Sequence, residues 1–235
     1  MTKTQALALL RENRNERGVA NWKKLGAGQA GLRSFGIGLT VLRKLAKQVG
    51  RDRALAHKLW NTDVYDAKVL GLLIDDPKRV TREQAEEQVE GLEGGMLAHV
   101  FSSCDATLAK APIAFELARD WIDSRDEMRR RCGWGRLLYE LSKKNPKGMD
   151  DAFLLACVDR VDKEIDGEPT WVRMAMAGAL IGIGKRNKKL NRAAVRVAKR
   201  VGPVDFSDGS GSKCDPFDPH KHLTSEHVKR KLARQ

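Results

Sequence analysis

The residues Phe101-Ser-Ser-Cys-Asp105 set an aromatic ring and a carboxylate four positions apart, and an arginine run, Arg129-Arg130-Arg131, follows. If the segment is helical, this spacing puts ring and carboxylate on one face. The surrounding chain carries 44 Lys and Arg against 31 Asp and Glu, a formal charge of +13. A carboxylate in such a chain has two readings. It is an ordinary helix residue, or it is the one negative group that a basic cradle needs for chemistry.

Other chemistries find less support. The cysteines Cys104, Cys132, Cys157 and Cys214 form no CxxC or Cys/His finger pattern, and His220-Lys-His222 is not a convincing ligand pair, so no metal is expected. The Gly-rich stretch from Gly26 to Gly38 holds no GxGxxG after a strand, so a dinucleotide loop is rejected and no cofactor is expected. Asp150-Asp151 is read as a helix N-cap rather than an acid/base pair. The apolar run Ala6 to Leu10 meets charges at once and is not a secretory signal. No apolar stretch reaches ~18 residues, so the expectation is a cytoplasmic protein without a membrane span. The excess of basic residues speaks to partners rather than fold: nucleic acid first, an anionic membrane surface second.

The elements that must position these groups read as helices. At 235 residues the chain can bury a sizeable core, and its 41% hydrophobic and 32% charged composition is rich in helix formers. Leu42, Leu45 and Val49 mark one helix face that Gly50 stops. Further helices are predicted over 53–60, 64–74, 81–92, 96–109, 112–121, 126–141, 150–161, 170–184 and 190–201. Asp52 and Ser124 are read as caps, and Thr81 with Gln84 as a capping box. No segment alternates like a strand. Helix, short break and helix recur at steps of about 30 to 44 residues, which predicts an all-α solenoid of HEAT-like hairpins. The expected layout is a helical solenoid over 1–201, then a basic, Gly/Pro/Ser-rich tail over 202–235, irregular apart from a short helix over 225–234.

The cations are clustered. Between Pro169 and Val204 there are nine Lys and Arg and no acid. Lys188, Lys189, Arg192 and Arg196, with Lys199 and Arg200, form a helical stripe of one sign. Lys143, Lys144 and Lys147 sit at one expected hairpin end, and Lys185 and Arg186 sit about 42 residues later at the next. Equivalent positions of a solenoid line up, so the two clusters should extend one another. Arg43, Lys44, Lys47, Arg51 and Arg53 form a third patch. Together they suggest contacts along a duplex backbone, which position without reading sequence. No aromatics alternate with these cations, which argues against a single-strand stacking platform.

Several segments, in order, resemble the AlkD-type DNA alkylation repair family. They are Val41 to Lys47, Ala56 to Leu70 around Leu59-Trp60, Asp75 to Thr81, Ser103-Cys-Asp105, Glu127 to Arg131, and Val172 to Asn187 with its Gly-Lys-Arg-Asn end. The resemblance covers about 39–201. It implies a HEAT-like solenoid that binds duplex DNA as a monomer and removes N3- or N7-alkylated purines. By position Asp105 matches the catalytic aspartate, Arg131 the family arginine, and Phe101 a family tryptophan. Gly178 replaces a second tryptophan, and Ile181 stands where arginine is common. The implied chemistry is physically sound. The alkylated purine is already a cationic leaving group, a carboxylate stabilises the oxocarbenium-like sugar, aromatic faces flank the cation, and an arginine holds a phosphate. With one ring smaller and one missing, the implied pocket is weakened. A DNA-binding member without base excision, and a repeat scaffold for an acidic protein partner, stay open beside the glycosylase reading.

Overall fold

The computed structural model describes residues 1–24, 31–92, 95–102, 106–205 and 215–234, and the chain divides into two compact units, Met1–Ile113 and Ala114–Gln235. Among the described residues the structure is helical, with two isolated β-bridges, Arg33 to Val64 and Val204 to Phe217.

In the first unit, α1 (Lys3–Glu12) opens with a reciprocal cap: Gln5 N donates to Thr2 Oγ1 at 3.2 Å and Thr2 N to Gln5 Oε1 at 2.8 Å. A second helix, α2 (Glu16–Lys24), follows. Next come α3 (Leu39–Val49), α4 (Arg53–Trp60), α5 (Tyr65–Ile74), α6 (Arg82–Glu90) and α7 (Gly95–Phe101). Nearly every residue of α5 is buried, and α1, α3, α4 and α7 pack on it. Its apolar residues therefore run all round the helix, as in a helix buried on every side.

One charged residue of α5 is also buried. Asp66 accepts from Phe35 N at 2.6 Å, Ile37 N at 2.9 Å and Ser34 Oγ at 2.9 Å, and so pins the last part of the Gly-rich stretch to α5. A buried carboxylate is tolerated because charge-assisted bonds from backbone N–H groups replace its water.

The second unit contains α8 (Ala114–Ile122), α9 (Glu127–Cys132), α10 (Leu138–Lys144), α11 (Asp151–Glu164), α12 (Thr170–Gly184), α13 (Lys188–Val201), α14 (Pro219–Leu223) and α15 (Glu226–Ala233). The single helix expected over 126–141 is two helices. A π-helical turn, Gly133–Leu137, separates them, with Gly135 outside helical geometry at ψ −119°. The cap is Asp126, which accepts from Arg129 N at 2.8 Å, and Ser124 instead accepts from Asp126 N at 3.1 Å. α12 is the hub: α10, α13 and α14 pack on it. Close packing with α10 depends on Gly182, where a Cβ would lie 2.4 Å from Ser142 Oγ and 2.9 Å from Tyr139 O.

The segment after Gly202 carries more helix than expected. Val204 and Phe217 exchange backbone hydrogen bonds of 2.8 and 2.9 Å, and α14 then packs on α12 and α13 through Leu223. Val228 and Leu232 of α15 are buried as well.

Candidate nucleic-acid interface

The three residues proposed for chemistry lie in different settings. Asp105, with Cys104, falls outside the described residues. α7, expected to continue to 109, ends at Phe101, and a 3-10 turn occupies Leu108–Lys110. The Phe101 ring is fully buried, with its centroid 6.4 Å from that of Trp60.

Arg131 lies in the second unit, on α9, with its guanidinium carbon 4.7 Å from the ring centre of Trp171. Burial lowers the pKa of the guanidinium, while neighbouring Glu127 works in the opposite direction. Trp171 is 37% exposed and begins an α12 face that continues through Gly178 two turns later. At Gly178 a Cβ would meet no atom of the described residues within 4 Å, so the α12 surface is open there among those residues.

The neighbouring arginines differ in role. Arg130 clamps Glu168 with Nη2 at 2.9 Å and Nε at 3.1 Å, and also donates to the carbonyls of Ser124 and Arg125. Arg129 lies 3.6 Å from Asp126. Only the structure separates these three adjacent side chains, because helical geometry points each of them a different way.

The two basic hairpin ends do meet. α10 closes at Asn145, whose left-handed backbone (φ 52°) is tolerated better by Asn than by most residues. Arg186, at the turn between α12 and α13, donates from Nη2 to Asn145 Oδ1 and, at 2.8 Å, to Met149 O. Asn187 caps α13 by accepting from Leu190 N at 2.9 Å, and its Nδ2 donates to Asp151 Oδ2 at 2.8 Å. The second turn is thereby docked on the first, and Lys143 and Lys185 come to one aromatic ring. The Tyr139 ring centre is 4.3 Å from Lys143 Nζ, 5.9 Å from Lys185 Nζ and 5.5 Å from the Arg136 guanidinium carbon. Lys143 also pairs with Glu140 at 2.9 Å. Tyr139 is the organising residue that sequence reasoning missed, and its position four before Lys143 on α10 was the available signal.

Lys144 and Lys147 are exposed, as are Lys188, Lys189 and Arg192 on α13. Arg196 is exposed but lies 3.7 Å from Asp159 of α11. In the first unit Arg43 and Lys47 are exposed on α3, whereas Arg51 and Arg53 turn onto the end of α5. Arg51 donates to Leu73 O at 3.1 Å and Asp75 O at 2.5 Å, and Arg53 pairs with Asp75 at 3.2 Å. Among the described residues no cluster of His, Cys, Asp and Glu could hold a metal ion, and no helix is long and apolar enough to cross a membrane.

A family model described as DNA alkylation repair enzyme matches residues 5–204. An uncharacterised protein of Listeria innocua is 26% identical over 187 residues, 76% of this chain and 77% of that protein. An uncharacterised protein of Listeria monocytogenes is 25% identical over 185 residues, 75% and 76% of the two chains. One solved structure, 24% identical, superposes with a TM-score of 0.83 over 99% of this chain and 96% of the other. It is described as a new family of proteins related to the HEAT-like repeat DNA glycosylases, with affinity for branched DNA structures.

Proposed function

Since this chain belongs to the DNA alkylation repair enzyme family, we propose that it binds DNA through backbone phosphates at the basic hairpin ends of its second unit. The observation that carries this reading is the meeting of Lys143 and Lys185 at Tyr139, with Arg186 anchored across the two turns. Lys144, Lys147, Lys188, Lys189, Arg192 and Arg196 extend the surface, and Arg43 and Lys47 on α3 supply a second strip. Such a surface neutralises phosphates and is indifferent to sequence. It suits linear duplex and also branched DNA, the ligand described for the structural relative.

Base excision is the second reading, and the stacked pair Arg131 and Trp171 favours it. In that reading Asp105 has the role of stabilising positive charge on the sugar and Arg131, against Trp171, that of holding a phosphate, the roles the family resemblance implies. Phe101 supports the site from the core instead of facing the sugar.

Two measurements test these readings. Fluorescence anisotropy with linear duplex and a four-way junction should give affinities that fall steeply with salt, and failure to bind either would refute the proposal. Methylated duplex is then incubated with wild type and Asp105→Asn. Release of 7-methylguanine or 3-methyladenine by wild type alone supports excision. No release, with binding intact, leaves a non-catalytic DNA-binding repair protein. Affinity unchanged after charge reversal of Lys188, Lys189, Arg192 and Arg196 would point instead to a scaffold for an acidic protein.

A further inference from the structure

A cavity of about 550 Å³ opens in the second unit where the two basic turns meet. Its lining includes Ser142, Lys143, Lys185, Arg186 and, from α15, Lys231. We propose that it is a phosphate-binding well for a nucleic-acid phosphate, and that the carboxy-terminal helix completes it by supplying Lys231. The nucleic-acid part of this proposal rests on the DNA-binding reading above.

Three observations point to an anion. First, four cations from three separate parts of the chain converge on one cavity, and Asp151, the one carboxylate among its described lining residues, is already engaged. Asp151 accepts from Asn187 Nδ2 at 2.8 Å and lies 3.7 Å from Arg186 Nε. Second, Arg186 has a buried Nη1 with no hydrogen-bond partner among the described residues, while its Nη2 is held by Asn145 and Met149. A buried guanidinium donor left unsatisfied is unfavourable, and a small shift of the Arg186 side chain toward the cavity would let a phosphate oxygen satisfy it. Third, the well is built rather than incidental. Gly182 lines it and lets α10 and α12 approach, Leu223 of α14 sits against Gly184, and Val228 and Leu232 bury one side of α15. These contacts fix the helix from which Lys231 reaches the cavity, and Lys231 itself is exposed. A single backbone phosphate, internal or terminal, has the charge and hydrogen-bonding oxygens the lining calls for.

The test uses the full chain. Lys231→Glu is compared with Lys229→Glu, which makes the same charge change on the same helix at a residue paired with Glu226 at 2.7 Å. DNA binding is measured by anisotropy over a salt series, with duplexes bearing or lacking a 5′-phosphate, and pyrophosphate binding by thermal shift. Expected is a roughly tenfold weaker DNA affinity for Lys231→Glu, a salt slope shallower by about one, and a much smaller change for Lys229→Glu. Pyrophosphate should raise the melting temperature of wild type but not of Lys231→Glu. A loss confined to 5′-phosphorylated duplex assigns the well to strand ends, and an equal loss on both assigns it to the internal backbone. Equal effects of the two variants would overturn the well while leaving the DNA reading intact. Absence of DNA binding with Lys231-dependent pyrophosphate binding would keep the well and refute the DNA reading. Absence of both would refute both.

Discussion

At the amino-terminal end of α13, Lys188, Lys189 and Arg192 are exposed, and no ion pair involves them among the described residues. Further along the same helix Arg196 lies 3.7 Å from Asp159, and Arg200 pairs with Asp162 at 2.5 Å and Asp166 at 2.7 Å. In sequence the two ends are alike, with basic residues one turn apart and no acid nearby. The difference comes from Asp159 and Asp162 of α11 and Asp166 just after it, which face the second end, whereas Asp151 at the start of α11 is taken up by Asn187 and Arg186. A helix stripe of one sign is therefore a surface of one sign only where the neighbouring helix leaves it so. The cations that face α11 are committed to holding helices together, and the others are available to a ligand.

The strongest way to break this comparison is to neutralise the first group. The triple variant Lys188→Gln, Lys189→Gln, Arg192→Gln should lose affinity for duplex by about a hundredfold near 0.1 M salt, with a salt slope shallower by two to three. Its thermal unfolding should match wild type, and a triple variant that binds as wild type would erase the distinction.

A cation committed to structure should behave in the opposite way. Arg130→Ala removes the clamp on half-buried Glu168 and should destabilise the fold by about 2 kcal/mol in denaturant unfolding. Its DNA affinity, measured while folded, should change little.

The second end of α13 makes a finer test. Arg196→Gln with Arg200→Gln should lower stability by under about 1 kcal/mol per ion pair, because these pairs are exposed. The affinity change should be only a few-fold, far below that of the first group. An equal loss from the two ends would mean that α11 does not screen its partner.

The smallest effect concerns the open face of α12. Gly178→Ala places a methyl group where no atom of the described residues lies within 4 Å, so helix propensity should raise stability by about 0.5 to 1 kcal/mol. A loss of stability would show that the face is covered.

Much of this was legible in the sequence. Leu42 and Leu45 form the buried face of α3, and Asp52 and Asp150 cap their helices by accepting from Leu55 N at 2.9 Å and Phe153 N at 2.8 Å. Local chemistry decides such features, and the HEAT-like all-α fold follows from them. Thr81 also caps as expected, accepting from Gln84 N at 3.3 Å. The Gln84 side chain, however, donates from Nε2 to Asp75 at 2.7 Å instead of accepting from Thr81 N to close the box, because the buried Asp75 carboxylate draws the amide N–H to itself. The break at Gly135 was hidden because helical periodicity runs up to it from both sides. α14 was missed because Leu223 docking on α12, a contact between distant residues, stabilises it more than local propensity does. The same limit applies to the candidate site. Clustering of cations is visible along the chain, but their division between ion pairs and open surface depends on helices 30 to 40 residues away.

The most direct measurement is the salt dependence of binding to duplex and four-way-junction DNA, wild type beside the α13 triple variant. The account predicts a steep linear fall of log K with log salt for wild type, and a weaker, shallower dependence for the variant. Salt-insensitive binding, or coincident curves for the two proteins, would contradict it.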